Sequence, residues 1–393
     1  MKKIVGFSFE RISGFLAAVT VLFCLCLPVS AIYTISPASE TIPAYRNVYE
    51  AIYESIYEQQ SYLDVSRWKI RDYEIMTIFT DVMHNSPEFF FADQKLVYRY
   101  NQKGLVTSLS FSYHMSRTKR QECTEFYEQE ISYIVHEVEK MQLTDPEAAL
   151  YVHDYLISSY SYDTSETIYD VYGFLRERKG VCHAYSLCYI AVMRELGIPC
   201  YMVVSEDINH SWNLIELDGI WYHVDLVYDD PQPDRPGQVL HNHFLLSDDG
   251  IQMDHGQGTH WGWSSMVVCP DTSYDQSYWK NSDTRMLYLN DMWYYVDDQN
   301  KTLCRNYFSG QGMQITYRFS ERWYVLPDLP GQPDAADLPG TAEQESVWKG
   351  LFTGLGYYNG YLYFNSPHTI WRFNPANSEK MELLTLDETV LNI

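Results

Sequence analysis

Cys182, His210 and Asp225 occur in that order, each in a setting suited to one part of thiol-nucleophile chemistry. Gly180-Val181-Cys182 runs into an apolar-rich helical stretch from His183 to Leu196, which Gly197 and Pro199 stop. The spacing therefore puts Cys182 at a helix N-terminus. Backbone N–H groups without intrahelical partners, and the positive end of the helix dipole, favour a thiolate there.

Strand arithmetic relates the other two residues. His210 to Leu217 and Ile220 to Leu226 flank Asp218-Gly219, a strong two-residue hairpin signal. With a two-residue turn, Trp212 faces Asp225, and His210 becomes a diagonal neighbour of Asp225 on the same sheet face, roughly 7–8 Å away between Cα atoms. An imidazole and a carboxylate span that gap, and a carboxylate that fixes the tautomer of a base is what nucleophile activation requires. An odd loop would put the two on opposite faces. Taken singly, such a cysteine is a buried small hydrophobe and such a histidine or aspartate a turn residue. The three together are mutually consistent with one active site.

Four blocks now stand in order: Gly180-Val-Cys182-His-Ala-Tyr185-Ser; Leu196-Gly-Ile-Pro199; His210-Ser-Trp-Asn213; and Trp221-Tyr-His-Val-Asp225 followed by Asp229-Asp230-Pro231. This pattern resembles the core of the transglutaminase-like superfamily over residues 146–282. The resemblance implies a papain-like α+β fold, with Cys182 as nucleophile, His210 as base and Asp225 as orienting residue. Ala184 and Val227 depart from it, standing where many relatives carry glycine and threonine. Aromatic residues upstream of the cysteine, here Tyr160 and Tyr162, line the substrate cleft if the resemblance extends to them; ordinary packing is the plainer reading.

The elements that must position these residues divide the chain. Lys2, Lys3 and Arg11 precede an apolar stretch from Gly14 to Leu27, and Val29-Ser30-Ala31 has the small residues of a cleavage site. Residues 1–31 read as a signal peptide, so secretion or placement in the cell envelope is expected, with no stable membrane insertion after cleavage. Removing them leaves 25 basic and 51 acidic side chains, a net charge of −26. That balance argues against nucleic acid as a partner.

Residues 32–145 read as a mainly helical region: Val48, Ile52, Ile56 and Tyr57 recur at helical spacing, as do Phe126, Ile131, Ile134 and Val138. Lys95–Tyr100 and Leu105–Tyr113 form a hairpin between them. Thr144-Asp145-Pro146 opens a further helix running to Ser158. Residues 146–282 form the catalytic domain, and residues 283–393 a β-rich aromatic region with a linker at 327–345. There Leu287–Tyr295 and Gly356–Phe364 repeat one hairpin, followed by Thr302–Arg305 or Thr369–Arg372, with Arg322–Val325 as a third strand of the type. Such repeats resemble propeller blades.

Six cysteines follow the signal segment, too few for a disulfide scaffold. Cys182 and Cys188 fall on different faces of one helix. His241, His243, Asp248, Asp249, Asp254, His255 and His260 crowd into twenty residues, but no ligand spacing is diagnostic of a metal site. No cofactor is expected; Gly256-Gln-Gly258 lacks the third glycine of a dinucleotide loop. Trp212, Trp221, Trp261 and Trp263 are candidates for walling a cleft, Trp212 foremost.

The expected activity is cysteine-dependent acyl transfer through a thioester, on a peptide bond or glutamine amide, more readily with water than with an amine as acceptor. A protein or peptide is the expected substrate, cell-wall peptide among the candidates. The reading of a different class is a catalytically silent domain used for extracellular binding, favoured by the tyrosine-rich C-terminal repeats and disfavoured by the intact trio.

Overall fold

The computed structural model describes residues 44–235, 237–256, 267–319, 322–323, 347–348, 353–366 and 368–386. The signal-type segment 1–31, the linker 327–345, and Gly258, His260, Trp261 and Trp263 lie outside them. Among the described residues no helix is long and apolar enough to cross a membrane.

Three helices and a small sheet build the N-terminal layer. Helix α1 (Tyr45–Tyr57) buries Tyr45, Val48, Tyr49, Ile52, Tyr53 and Ile56, so its apolar stripe is half tyrosine. Tyr57, assigned to that stripe from spacing, is exposed. Strand β1 (Tyr62–Asp64), helix α2 (Asp72–His84), and strands β2 (Val97–Tyr100) and β3 (Val106–Ser110) follow, then the long helix α3 (Arg117–Met141). The expected β2–β3 hairpin is present, with β1 added on the free edge of β3. Asn85, capping the C-terminus of α2, donates to Asp81 at 2.6 Å and accepts from the Met202 amide at 3.0 Å, tying this layer to the next.

Helix α4 (Asp145–Ser159) starts in a capping box: Glu147 accepts from the Thr144 amide at 3.0 Å, and Pro146 occupies the first turn. Strand β4 (Ser161–Tyr162), helix α5 (Val171–Glu177) and strand β5 (Lys179–Gly180) lead to helix α6 (Cys182–Glu195). Every residue from Ala184 to Met193 is buried, as befits a helix that is apolar all round. It packs on the antiparallel sheet formed by β6 (Cys200–Ser205), β7 (His210–Leu217), β8 (Ile220–Val224) and β9 (Phe244–Leu246), in that spatial order. Helix α7 (Asp248–His255) buries only Ile251 and His255, four residues apart and so on one face. Ile251 joins Val203, Trp212, Leu214 and Leu246 in one apolar cluster, which seats α7 beside the sheet.

The fold is α+β. Beyond it, β10 (Leu287–Leu289), β11 (Met292–Asp297), β12 (Thr302–Asn306) and β13 (Gln314–Arg318) form one antiparallel meander. The short β14 (Arg322–Trp323) pairs in parallel with β15 (Val347–Trp348), so it does not open a third hairpin of the repeated type. A second meander comprises β16 (Leu355–Tyr358), β17 (Tyr361–Asn365), β18 (Thr369–Phe373) and β19 (Lys380–Thr385). The repeat is real at the level of pairing: register shifts fall between Leu303 and Cys304 in one copy and between Ile370 and Trp371 in the other. The described sheets do not close into a propeller ring. Both sheets are open, and their inner residues, among them Tyr294, Val296, Leu303, Leu362, Phe364 and Phe373, share one apolar cluster.

Candidate active site

The hairpin register is the one the turn requires. Asn213 faces Val224 and Leu217 faces Ile220, while Asp218 and Gly219 take φ of 52° and 80°, the left-handed pair of a type I′ turn. His210 and Asp225 therefore share a face. The His210 Nε2–H donates to Asp225 Oδ2 at 2.6 Å. Asp225 is 1% exposed, and its other oxygen accepts from the amides of Val227 at 2.9 Å and Tyr228 at 3.1 Å.

Cys182 is the first residue of α6, after Val181 with extended φ and ψ of −84° and 175°. Ala184 and Tyr185 both donate to the Val181 carbonyl, so the helix itself offers no acceptor to the amides of Cys182 and His183. Gly180 is needed just before it. A Cβ at that position would lie 2.7 Å from Phe174 and 2.8 Å from the Ala184 methyl. All six described cysteines are free; Cys182 is half-buried and the other five are buried.

Electrostatics separate Cys182 from Cys188, Cys200, Cys269 and Cys304. Burial acts to raise its thiol, but His210, by hydrogen bonding and positive charge, together with Ser211, brings it below the ordinary value. Burial alone pushes Cys188 and Cys200 far up. His210 moves the opposite way: burial lowers it, yet Asp225 and Cys182 raise it to about 10. With Nε2 given to Asp225, Nδ1 is the nitrogen left for the sulfur. Both shifts favour a thiolate facing an imidazolium over the neutral pair.

The surrounding aromatic residues hold this geometry. Trp212 is 1% exposed and stacks on His210, with ring centroids 5.9 Å apart and 15° between planes. Its Nε1–H donates to His223 Nδ1 at 2.9 Å, and His223 Nε2 donates to Asp248 at 3.1 Å, which fixes the His223 tautomer. Trp212 is thus a buried platform beneath the imidazole rather than an open cleft wall. Trp221 packs on Tyr201 at 5.3 Å. Tyr160 is buried against Phe174 at 4.4 Å, whereas Tyr162 pairs with Gly180, is partly exposed and lies within electrostatic reach of Cys182.

The acidic and histidine-rich stretch is taken up in hydrogen bonds. Asp248 holds His223, His241 bonds Asp154 at 3.0 Å, and His243 bonds Asp229 at 3.2 Å and Asp254 at 2.8 Å. His255 bonds Asp225 at 2.7 Å and Asp254 at 2.5 Å. Several triplets, such as His243, Asp254 and His255, bring ligand-type atoms within 4.8 Å of one another. In this triplet every ring nitrogen already faces a carboxylate, a hydrogen-bonded arrangement rather than an open coordination sphere. His153, which carries no sequence signal, joins the same system through Asp154 at 2.9 Å and Asp229 at 3.2 Å.

Residues 132–226, which hold Cys182, His210 and Asp225, match the family model of the transglutaminase-like superfamily. The chain carries a transglutaminase-like domain. No curated protein matches the sequence. Among solved structures, the chain is similar to a TGase, at 14% identity and a TM-score of 0.23, over 34% of this chain and 44% of that one. It is also similar to a protein of Cytophaga hutchinsonii provisionally described as a cysteine protease, at 15% identity and a TM-score of 0.23, over 36% of this chain and 64% of that one. The chain thus spans less than two thirds of either structure. The transglutaminase-like domain supplies α6 and strands β6 to β8, while α7 and both C-terminal meanders lie beyond the matched segment.

Proposed function

We propose that the protein is a secreted cysteine-dependent acyl-transfer enzyme, with Cys182 as nucleophile, His210 as general acid and base, and Asp225 as orienting residue. The observation that carries this reading is the buried 2.6 Å His210–Asp225 bond beside the one half-buried thiol among the described residues, at the first residue of α6. The thiolate attacks the carbonyl carbon of a peptide or glutamine amide, and the amides at the start of α6 stabilise the oxyanion. His210 gives its proton to the departing nitrogen as the C–N bond breaks, leaving a thioester. An incoming water then loses a proton to His210 and attacks the thioester, which releases the acid and restores the thiolate. Hydrolysis is the favoured outcome because water needs no second binding site, whereas cross-linking requires one for a lysine amine.

Alkylation by iodoacetamide tests the nucleophile. Cys182 is expected to react well below the pH at which ordinary thiols do, and His210→Ala should abolish that advantage. Equal reactivity of Cys182 and the buried Cys188 or Cys200 would falsify the reading. Incubation with a glutamine-containing peptide, with and without an amine donor, followed by mass spectrometry, separates hydrolysis from transfer.

A further inference from the structure

Asp225 Oδ2 accepts not one but two imidazoles, His210 Nε2 at 2.6 Å and His255 Nε2 at 2.7 Å. The other nitrogen of His255 donates to Asp254 Oδ1 at 2.5 Å. Ionised carboxylates only accept, so His255 needs a proton on both nitrogens to satisfy both neighbours. The pattern continues through Asp254, His243, Asp229, His153, Asp154 and His241, whose Nδ1 donates to the Ser282 carbonyl at 2.9 Å. The array thus pairs five imidazoles with four carboxylates, beside the Cys182 sulfur. A buried array of charges persists only when it is paired in this way.

We propose that His255 is a positioning residue for His210: seated on Asp254, it shares the Asp225 oxygen and keeps that carboxylate ionised and in place when His210 gives up its proton. The assignment rests on the thiolate–imidazolium reading above. Without His255, proton donation from His210 Nδ1 would leave the buried Asp225 with the Nε2–H of a neutral imidazole and two amides as donors, and no cation beside it. Asp225 would then hold the His210 proton more tightly, which opposes the transfer. His255 itself has a fully buried side chain, while Asp254 is 45% exposed, so the chain of pairs meets solvent there.

Other groups face His255 from each neighbouring element. They are His210 at 5.7 Å between ring centroids from β7, Tyr228 at 4.2 Å from the loop after Asp225, and His243 at 5.5 Å from the approach to β9. His223 on β8 is within charge range, and the uncharged Trp212 ring lies at 4.9 Å.

The pH dependence of Cys182 alkylation tests the proposal. Removing a cation near the pair destabilises the thiolate, so the acid limb of the profile moves to higher pH. His255→Gln, which keeps an N–H donor but no charge, is expected to move the acid limb up by about half a unit, or about threefold in rate on that limb. Asp254→Asn removes the anion that holds the second proton of His255, and should move it the same way by less. A purely structural role would lower stability without moving the acid limb. If His255→Gln folds as the parent does and its profile superimposes on the parent's, the assignment falls while the nucleophile reading stands. If His255→Gln does not fold, the half-exposed Asp254→Asn decides, and an unshifted profile overturns the proposal. A parent Cys182 that reacts as an ordinary thiol, or that is indifferent to His210→Ala, sinks both readings together.

Discussion

Each titratable group at the site has a neighbour that reverses what burial alone would do. Burial raises a thiol and a carboxyl and lowers an imidazole, yet Cys182 and Asp225 are lowered and His210 is raised to about 10, because each ion faces its counter-ion. Both shifts widen the pH range over which a thiolate faces an imidazolium. Cys182 alkylation by iodoacetamide is therefore expected to rise at a lower pH than that of an ordinary thiol. Trp212 is a sharper case. Trp212→Phe keeps the ring beneath His210 but removes the buried Nε1–H that His223 Nδ1 accepts. A loss of about 1–3 kcal/mol of stability is expected, measured as a lower urea midpoint at unchanged slope, with Cys182 still reactive.

At the scale of elements, the nucleophile depends on how closely strand β5 can approach the first turn of α6. Gly180 and Ala184 are both small because a Cβ on Gly180 would overlap the Ala184 methyl and the Phe174 ring. Gly180→Ala should therefore cost about 1–3 kcal/mol through forced repacking, and should slow Cys182 alkylation by displacing the helix start. The cap of α4 is worth less and acts further away. Thr144→Ala removes half of a capping box, and a loss of about 1 kcal/mol is expected by chemical denaturation, with no effect on alkylation. The contrast between the two variants separates stability from the placement of the sulfur.

Over the whole molecule, the paired histidines make stability depend on pH. His153 rises to about 8, His243 to about 9 and His210 to about 10, from an ordinary value of 6.5. A raised imidazole contributes stability that is fully present below about pH 6.5 and is lost as pH climbs through its folded value. Between pH 6.5 and 8 these three losses outweigh the opposing gain from the lowered Cys182. The thermal midpoint at constant ionic strength should fall across that window, and Asp229→Asn, which removes the partner of both His153 and His243, should flatten the fall. The same array ties the regions of the chain together: the Met286 amide donates to Asp154 at 2.8 Å, and the Trp293 Nε1–H donates to Glu147 at 3.2 Å. The first meander is thereby anchored on α4.

Local patterns were legible in the sequence because their causes are local. A two-residue Asp-Gly turn allows one register, and that register alone puts His210 and Asp225 on one face. Gly180 before an apolar run marks the start of α6, and the repeated hairpins follow from turn residues and alternation. His255, Asp254, His243 and His153 as parts of one array had no such signal: they lie up to a hundred residues apart, and nothing about a His-Asp pair in a helix says which carboxylate it will meet. Packing decided that. Ile251 draws α7 onto the sheet, and four residues later His255 arrives at the carboxylate that already holds His210. The same limit applies to the C-terminal repeats, whose strand pairing is local but whose joining into one apolar cluster is fixed by which side chains meet.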